Sequence, residues 1–169
     1  MCSGCYTYDE GDTMPTTEDL PSEERRFEMS AREVDQALRT AKHGVLSLAV
    51  DGEAYAVPMS FGYDGEGLYF IFRRPAARSR KLEFIRGTDR AAFVVSWLTT
   101  KHDWASVVVE GPVVPVEDDG WPELLDTIGE NAWFPSIFSE TDPRKDFVGY
   151  YLVAERATGR RGADFALEE

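Results

Sequence analysis

The sequence predicts a mainly β protein of the α+β class, an antiparallel β-barrel with flanking helices. Three observations predict it: valine- and aromatic-rich runs recur along the chain, turn signals such as Asp51-Gly52 link them, and helical periodicity is confined to three short segments. Many short strands joined by hairpin-type turns are typical of an antiparallel sheet closed into a barrel. A parallel sheet would instead need a crossover helix between successive strands.

The first element is an amphipathic helix. Ser30 followed three residues later by Glu33 is a capping box, which marks a helix N-terminus. Val34 and Leu38 then recur at helical spacing, and Gly44 is a candidate C-terminal stop. We therefore expect one helix before the strands begin.

The strands follow in a regular order. The runs VLSLAV and EAYAVPMSFGY flank Asp51-Gly52, a pair that favours a tight hairpin, and Pro58 in the second run predicts an edge strand or a bulge. A turn, YDGEG, leads to the strand LYFIF, and a helix beginning at SRKLEFI leads to the strands RAAFVVSW and WASVVVEGPVVPV. A helix, WPELLDTIG, and a last strand, DFVGYYLVAER, complete the fold. Between them we expect NAWFPSIF to form a loop that covers a pocket or a dimer seam. After them we expect TGRR to form a solvated turn.

Length and composition predict one folded domain behind a polar tail. The chain has 169 residues, of which 43% are hydrophobic and 12% aromatic, enough for one substantial core. Residues 1–29 are polar and acidic, so we expect a flexible tail there and a single domain over residues 30–169. Cys2 and Cys5 lie in this tail, and we interpret them as a reduced terminus because the chain has no further cysteines to complete a zinc site.

The charge of the chain argues against several classes of partner. Its 31 acidic residues outnumber 18 basic ones, and a net charge of −13 repels nucleic acid and anionic membranes. The sequence has neither an apolar run of the roughly 20 residues that span a bilayer nor a signal-peptide layout, so we expect a cytoplasmic protein. An acidic composition with only four lysines resembles that of halophilic archaea.

One short region reverses this charge. Residues 73–90 carry seven bases against two acids, a net charge of +5. Within it, Ser79 is a candidate helix N-cap, so Arg78, Arg80 and Lys81 gather at a helix N-terminus, where free backbone N–H groups and the helix dipole favour an anion. This arrangement predicts a phosphate cradle, with arginine as a fork and lysine as a point charge. The alternative is a solvated basic helix face that makes surface ion pairs.

Motifs for other chemistries are missing. The sequence has no GxGxxG or GxxxxGK[ST] phosphate loop and no GxSxG or HExxH motif. His43 and His102 are its only histidines, so we expect no metal site and assign no catalytic side chain. Chemistry in this protein is better supplied by a cofactor.

The segments GVLSLAVDGEAYAVPMSFGYDGEGLYFIF, RSRKLEFI and WASVVVEG together resemble the pyridoxamine 5′-phosphate oxidase-like family of FMN-binding split barrels. The branch most resembled contains nitroimidazole-resistance proteins and their archaeal relatives, and the similarity is clearest over residues 30–116. The resemblance implies an antiparallel split β-barrel with flanking helices and a homodimer that holds FMN at the subunit interface. It also implies a small-molecule substrate.

The resemblance further implies which residues contact FMN. The segment SRK resembles the one that holds the FMN phosphate, and AVPMSFGY resembles the strand that faces the isoalloxazine ring. Ser106 corresponds to a polar residue usually contributed by the other subunit, and Trp104 lies near enough to it to stack on the ring. The implied cofactor residues are Val57, Pro58, Met59, Ser60, Ile71, Phe72, Arg78, Ser79, Arg80, Lys81, Trp104 and Ser106.

Departures from the family narrow the expected function. Ser60 stands where the oxidases have a lysine for the substrate phosphate, and their C-terminal tryptophan and arginine-rich segment is missing, so we do not expect pyridoxamine phosphate oxidation. We expect a flavin-dependent oxidoreductase that transfers electrons between a nicotinamide donor and a small organic acceptor. The alternatives are a flavin-binding storage or sensor protein and a deazaflavin-dependent reductase. Haem is the least favoured cofactor, since only His43 or His102 could be its axial ligand.

Overall fold

The computed structural model describes residues 26–74, 78–131 and 146–167. The predictions for Cys2, Cys5 and residues 132–138 of the NAWFPSIF segment lie outside these ranges. In chain order the described residues form α1 (Ala31–Thr40), β1 (Gly44–Val50), β2 (Glu53–Met59), β3 (Gly62–Tyr63), β4 (Gly67–Arg73), α2 (Arg80–Gly87), β5 (Arg90–Leu98), β6 (Trp104–Pro115), α3 (Trp121–Asn131), β7 (Phe147–Val153) and β8 (Arg156–Arg161).

The eight strands form one antiparallel sheet in the order β2-β1-β5-β6-β7-β4-β3, with β8 paired to β6. The predicted mainly β antiparallel fold with flanking helices is therefore confirmed. The expectation of a closed barrel is wrong, because β2 and β3 end the sheet without pairing with each other among the described strands. The sheet stays open because the two ends of β6 pair with different strands, β8 and β7.

Strand β6 joins the two halves of the sheet. Residues 105–110 are paired with both β5 and β8, whereas residues 113–115 pair with β7. Gly111 lies at this change of partner, and a Cβ atom there would be 1.8 Å from the carbonyl oxygen of Val153. Only glycine permits so close an approach of two backbones. The sheet therefore splits at Gly111 instead of closing.

The main core lies inside the curved sheet. Phe61, Phe70 and Phe93 are fully buried, and the ring of Phe93 lies 4.8 Å from that of Phe61 and 5.2 Å from that of Phe70, measured between centroids. These contacts bring the link between β2 and β3 together with the middle of β4 and of β5 across the core. Helix α1 covers the same core with Val34 and Leu38. A second cluster packs α3 against β4 and β7 and comprises Tyr69, Trp121, Leu124, Ile128 and Phe147.

Several local signals are confirmed. The Ser30 N–H donates to Glu33 Oε2 at 2.7 Å and the Glu33 N–H donates to Ser30 Oγ at 3.3 Å, which completes the predicted capping box. Asp51 and Gly52 have φ values of 50° and 79°, the left-handed pair that a tight hairpin needs. Pro58 lies on β2, which is an edge strand.

Two local predictions from the sequence are wrong: the helix stop at Gly44 and the solvated turn at TGRR. Helix α1 ends at Thr40, and Gly44 opens β1, where a Cβ atom would lie 2.5 Å from the carbonyl oxygen of Val94. The TGRR segment is not a solvated turn, because residues 156–161 form β8 and pair with β6. In both cases the conformation is determined by packing against a neighbouring strand, β5 for Gly44 and β6 for TGRR.

The last residues of the predicted tail are part of the sheet. The Met29 N–H donates to the Gly159 carbonyl at 2.9 Å, and the Arg161 N–H donates to the Phe27 carbonyl at 2.8 Å. Met29 is also buried. Residues 27–29 therefore pack against β8 and belong to the folded domain.

In the described part of the chain, no helix has the length and apolar character that crossing a membrane requires.

Candidate cofactor site

The N-terminus of α2 has unused hydrogen-bonding groups. Ser79 is the N-cap residue, as predicted, with an extended backbone, but its side chain makes no capping hydrogen bond. The first N–H groups of a helix have no partner within the helix. The Ser79 hydroxyl and the first backbone donors of α2 therefore have no partner among the described residues, and they lie together where the helix dipole favours negative charge.

Three cationic side chains surround this helix end, and all are exposed. The Arg78 guanidinium is hydrogen-bonded to Glu83, which raises the pKa of Arg78, and the Arg80 guanidinium is hydrogen-bonded to Glu53. Lys81 makes no ion pair with any other described residue. Surface ion pairs, which the solvated-face alternative predicts, therefore exist for the two arginines, while the lysine and the helix end stay available to an anion.

Two aromatic rings hold Arg80 in place. Its guanidinium carbon lies 5.2 Å from the ring centroid of Tyr55 and 5.3 Å from that of Phe84, and the two rings lie 5.0 Å apart. Contacts of this kind between a cation and an aromatic ring contribute about 0.5–1 kcal/mol each at exposed sites. Because Tyr55 belongs to β2 and Phe84 to α2, Arg80 lies where these two elements meet.

Strand β2 presents its backbone rather than most of its side chains. Val57 and Met59 pack against the main core, whereas Pro58 between them is exposed. Because β2 is the last strand on this side of the sheet, one row of its N–H and C=O groups has no strand partner among the described elements. A cofactor at β2 would contact Val57 and Met59 through the backbone.

Ser60 follows β2 and carries an unsatisfied hydroxyl. Its Oγ atom is buried and has no hydrogen-bond partner among the described residues. A buried polar group without a partner costs about 1–3 kcal/mol. Ser60 is one of the twelve residues implied by the resemblance, so this orphan hydroxyl lies where a cofactor is expected.

The side chains of Ile71 and Phe72 are used for packing. Ile71 lies against the α3 cluster, and Phe72 is buried in the main core with its ring 5.7 Å from that of Tyr150, edge to face. Both residues belong to the end of β4. Any contact with a cofactor would again be made by the backbone.

Small side chains form an outward surface on β2, β1, β5 and β6. Pro58 is opposite Val45, Val45 opposite Val94 and Val94 opposite Val108, so that all four point to the same side. Paired residues of neighbouring strands share a face, and the intervening residues of β1, β5 and β6 point into the core. We call this surface the outer face, and it comprises Ala54, Ala56, Pro58, Val45, Ser47, Ala49, Ala92, Val94, Ser96, Leu98, Trp104, Ser106, Val108 and Glu110.

Trp104 and Ser106 are half-buried on the outer face but far from Pro58. Ser106 on β6 is opposite Ser96 of β5 and Arg160 of β8. Two strands separate β2 from β6, so three strand spacings, roughly 14 Å, lie between them along the sheet. A single chain therefore does not bring Ser106 and Trp104 to the ring-facing strand.

Sequence reasoning missed Glu53, Tyr55 and Phe84 as neighbours of Arg80. Tyr55 carries one signal, since it is an aromatic residue on the same face of β2 as Val57. No signal pairs Glu53 with a cation 27 residues away. Only the tertiary fold brings the start of β2 to the start of α2.

A sequence model described as pyridoxamine 5′-phosphate oxidase matches residues 30–161, most of the chain. The chain belongs to the pyridoxamine 5′-phosphate oxidase family. Membership confirms the resemblance drawn from the SRK and AVPMSFGY segments. No curated protein matches this chain at a significant level.

Solved structures of low sequence identity share the fold of this family member. A FAD-binding protein from Mesorhizobium loti is 22% identical with a TM-score of 0.63, covering 79% of this chain and 95% of its own. A candidate 5-nitroimidazole antibiotic resistance protein from Bacteroides thetaiotaomicron is 21% identical with a TM-score of 0.64, covering 78% and 84%. A FAD- and haem-binding protein from Mycobacterium smegmatis is 17% identical with a TM-score of 0.64, covering 83% and 75%.

These likenesses confirm the split-barrel fold and include a nitroimidazole-resistance neighbour, as the resemblance implied. They lend no support to a halophilic archaeal origin. That origin and the cytoplasmic location stay predictions from composition.

Proposed function

We propose that this protein binds FMN and is a flavin-dependent oxidoreductase that acts on a small organic substrate other than pyridoxamine phosphate. The observation that carries the proposal is the N-terminus of α2. There Ser79, whose side chain makes no capping hydrogen bond, lies with the first N–H groups of the helix next to Arg80. Lys81, which has no ion pair with another described residue, lies beside them. Membership of the family and a FAD-binding structural neighbour support a flavin as the ligand.

The residues present at α2 fit a phosphate group. A phosphate dianion would accept hydrogen bonds from Lys81, Arg80 and the first N–H groups of the helix. Each charge-assisted bond contributes roughly 1.5–3 kcal/mol. Local cations of this kind are needed because the net charge of −13 repels an anion at longer range.

The residues at the end of β2 fit the ring of a flavin. The exposed Pro58 offers an apolar surface, and the free backbone edge of β2 offers donors and acceptors for the polar edge of the ring. The buried hydroxyl of Ser60 has no hydrogen-bond partner among the described residues, and such a ring could supply one. A bound flavin would supply the electron or hydride transfer. The chain would bind and orient the ring, and we assign no catalytic side chain.

We further propose that the working form is a homodimer with FMN at the subunit interface. The outer face exposes Val45 and Leu98, which are 38% and 83% accessible. It also holds a groove of about 490 Å³, which is lined by small side chains such as those of Ser47 and Ala92 and by the charged residues Arg90, Glu110 and Arg156. A second copy packed on this face would bring its own Ser106 to the Pro58 of the first copy. A stable pair should bury at least roughly 1,200 Å² in total.

Haem is a weaker candidate. One structural neighbour is a FAD- and haem-binding protein. In this chain, His43 and His102 are both exposed and lie outside regular secondary structure. An axial ligand would have to come from one of them. The site at α2, by contrast, requires no histidine.

The proposal is tested on the purified protein and on apoprotein titrated with FMN, FAD, a deazaflavin, haem and riboflavin. We expect FMN to bind most tightly, with its visible spectrum perturbed. Anaerobic stopped-flow mixing of the FMN complex with NADH or NADPH then separates the two classes of function. Rapid bleaching supports an oxidoreductase, whereas persistent yellow colour supports a storage or sensor protein. Failure to bind any flavin would overturn the proposal.

A further inference from the structure

We propose that the Glu53 carboxylate competes with a bound phosphate for the N–H donors of Arg80 and thereby lowers the affinity of the α2 site for phosphate. The inference rests on the proposed function and deepens it by naming a residue that determines affinity. In this structure the Glu53 carboxylate accepts a hydrogen bond from Arg80 Nη2, a donor that a phosphate at α2 would also use.

Glu53 is held in position by the β1–β2 hairpin. It is the first residue of β2 and pairs with Val50 across the turn. The turn itself is defined by the left-handed residues Asp51 and Gly52. The backbone of Glu53 therefore belongs to a regular hairpin, which keeps its carboxylate within reach of Arg80.

Arg80 has little freedom to avoid Glu53. Its guanidinium lies over the rings of Tyr55 and Phe84, at 5.2 and 5.3 Å from their centroids. The five N–H donors of a guanidinium point outward in the plane of the group, and Glu53 already accepts a hydrogen bond from one of them, at Nη2. A phosphate that approaches Arg80 from the side of Glu53 must therefore share or displace this hydrogen bond.

The pair is weak enough to be displaced. The side chains of Arg80 and Glu53 are 57% and 63% exposed. Exposed ion pairs change an equilibrium constant by a factor of only about 1.5 to 5. Glu53 would additionally repel an adjacent phosphate dianion, so removing its charge should tighten phosphate binding by about three- to tenfold.

The second ion pair in this region has a different geometry. Arg78 is paired with Glu83, which lies on α2 itself, and the Arg78 side chain is 87% exposed. No aromatic ring of the described residues holds Arg78 in a stacked position. Arg78 can therefore turn from Glu83 towards a ligand without losing a fixed orientation, so the proposed effect concerns the pair of Arg80 and Glu53.

The test compares wild type with Glu53→Gln, and Asp51→Asn is the matched control. Asp51→Asn removes the same charge from the same hairpin, and asparagine tolerates the left-handed backbone of this position. Each apoprotein is titrated with FMN, riboflavin and inorganic phosphate. We expect Glu53→Gln to bind FMN and inorganic phosphate about three- to tenfold more tightly while its riboflavin affinity stays within about twofold of wild type. Asp51→Asn should resemble wild type.

A double variant checks that the gain acts through Arg80. Glu53→Gln combined with Arg80→Ala should bind phosphate no more tightly than Arg80→Ala alone. Equal or weaker phosphate binding by Glu53→Gln than by wild type would overturn the inference, because Glu53 would then be inert or would position Arg80. Lack of FMN binding by wild type would instead overturn the proposed function, and inorganic phosphate would still decide the role of Glu53.

Discussion

Pro58 and Ser106 point to the same side of one sheet, and β1 and β5 lie between the strands that carry them. Both residues belong to the implied cofactor site, yet roughly 14 Å of sheet separates their strands. A second copy of the chain on the outer face would remove this separation. The proposed dimer would therefore link cofactor binding to subunit association, and disrupting one should disrupt the other.

Replacing Val45 by aspartate should separate the subunits. Val45 lies in the middle of the outer face, paired with both Pro58 and Val94, so an aspartate there would bury a charge in the proposed interface. We expect light scattering to give about twice 19.0 kDa for wild type and 19.0 kDa for the variant. FMN affinity should fall with the loss of the dimer.

Val114→Asp is the matched control for this experiment. Val114 is 42% exposed, close to the 38% of Val45, but it pairs with Tyr151 of β7 and lies beyond the outer face. It should leave the mass and the FMN affinity as in wild type. A monomeric wild type over a wide range of concentration and salt would contradict the dimer.

Replacing Lys81 or Arg80 by alanine should weaken FMN binding by roughly ten- to a hundredfold, because each loses a charge-assisted hydrogen bond to phosphate. Lys81 is the clearer case, since it has no ion pair with another described residue whose loss would complicate the result. Fluorescence titration of the apoproteins with FMN measures the change. Riboflavin has no phosphate, and its affinity should hardly change.

Arg86→Ala is the control for these variants. Arg86 is exposed in the last turn of α2, away from the helix N-terminus, so its removal lowers the charge of the region without affecting the cradle. It should bind FMN like wild type. If Lys81→Ala and Arg80→Ala do so as well, the cations form only a solvated surface.

The capping box of α1 should make stability depend on pH in the acidic range. Hydrogen bonds from Ser30, and then the charge of Arg161, lower the pKa of Glu33 below its ordinary value of 4.5. A lowered pKa means that the carboxylate stabilises the fold above about pH 4.5 and that this contribution is lost as the pH falls below that value. Glutamine can keep the capping-box hydrogen bond but has no charge, so Glu33→Gln should cost about 0.3–1 kcal/mol at pH 7 and much less at acidic pH.

Urea unfolding of Glu33→Gln and wild type at neutral and acidic pH measures this difference, and Glu130→Gln on the exposed end of α3 is the control. The control should show the same difference from wild type at both pH values. A Glu33→Gln penalty that is independent of pH would indicate lost packing rather than lost charge.

Gly111→Ala should destabilise the protein by more than about 2 kcal/mol, since a methyl group at Gly111 would meet the Val153 carbonyl oxygen at 1.8 Å. Gly129 on α3 provides the matched comparison, because a Cβ atom there has no neighbour within 4 Å. Gly129→Ala should stabilise by about 0.5–1 kcal/mol through helix propensity. Denaturant midpoints of both variants test the pair, and an unchanged midpoint for Gly111→Ala would contradict the role of this glycine at the split.

Features set by residues close together in sequence were predictable. The capping box needs only Ser30 and Glu33, and the hairpin needs only the left-handed backbone of Asp51 and Gly52. The N-cap position of Ser79 was predictable for the same reason. Runs rich in valine and aromatic residues between turn signals then identified the strands, because β-branched and aromatic side chains pack well on a pleated sheet.

Only the tertiary structure decided which segments meet. Strand β8 has the polar sequence RATGRR and extends because β6 offers it hydrogen-bond partners. The Tyr55 ring and the Glu53 carboxylate beside Arg80 come from β2, and the distance from Pro58 to Ser106 comes from strand order. Local sequence determines conformation through contacts a few residues apart, whereas the neighbours of a cation are set by how the whole sheet pairs and curves.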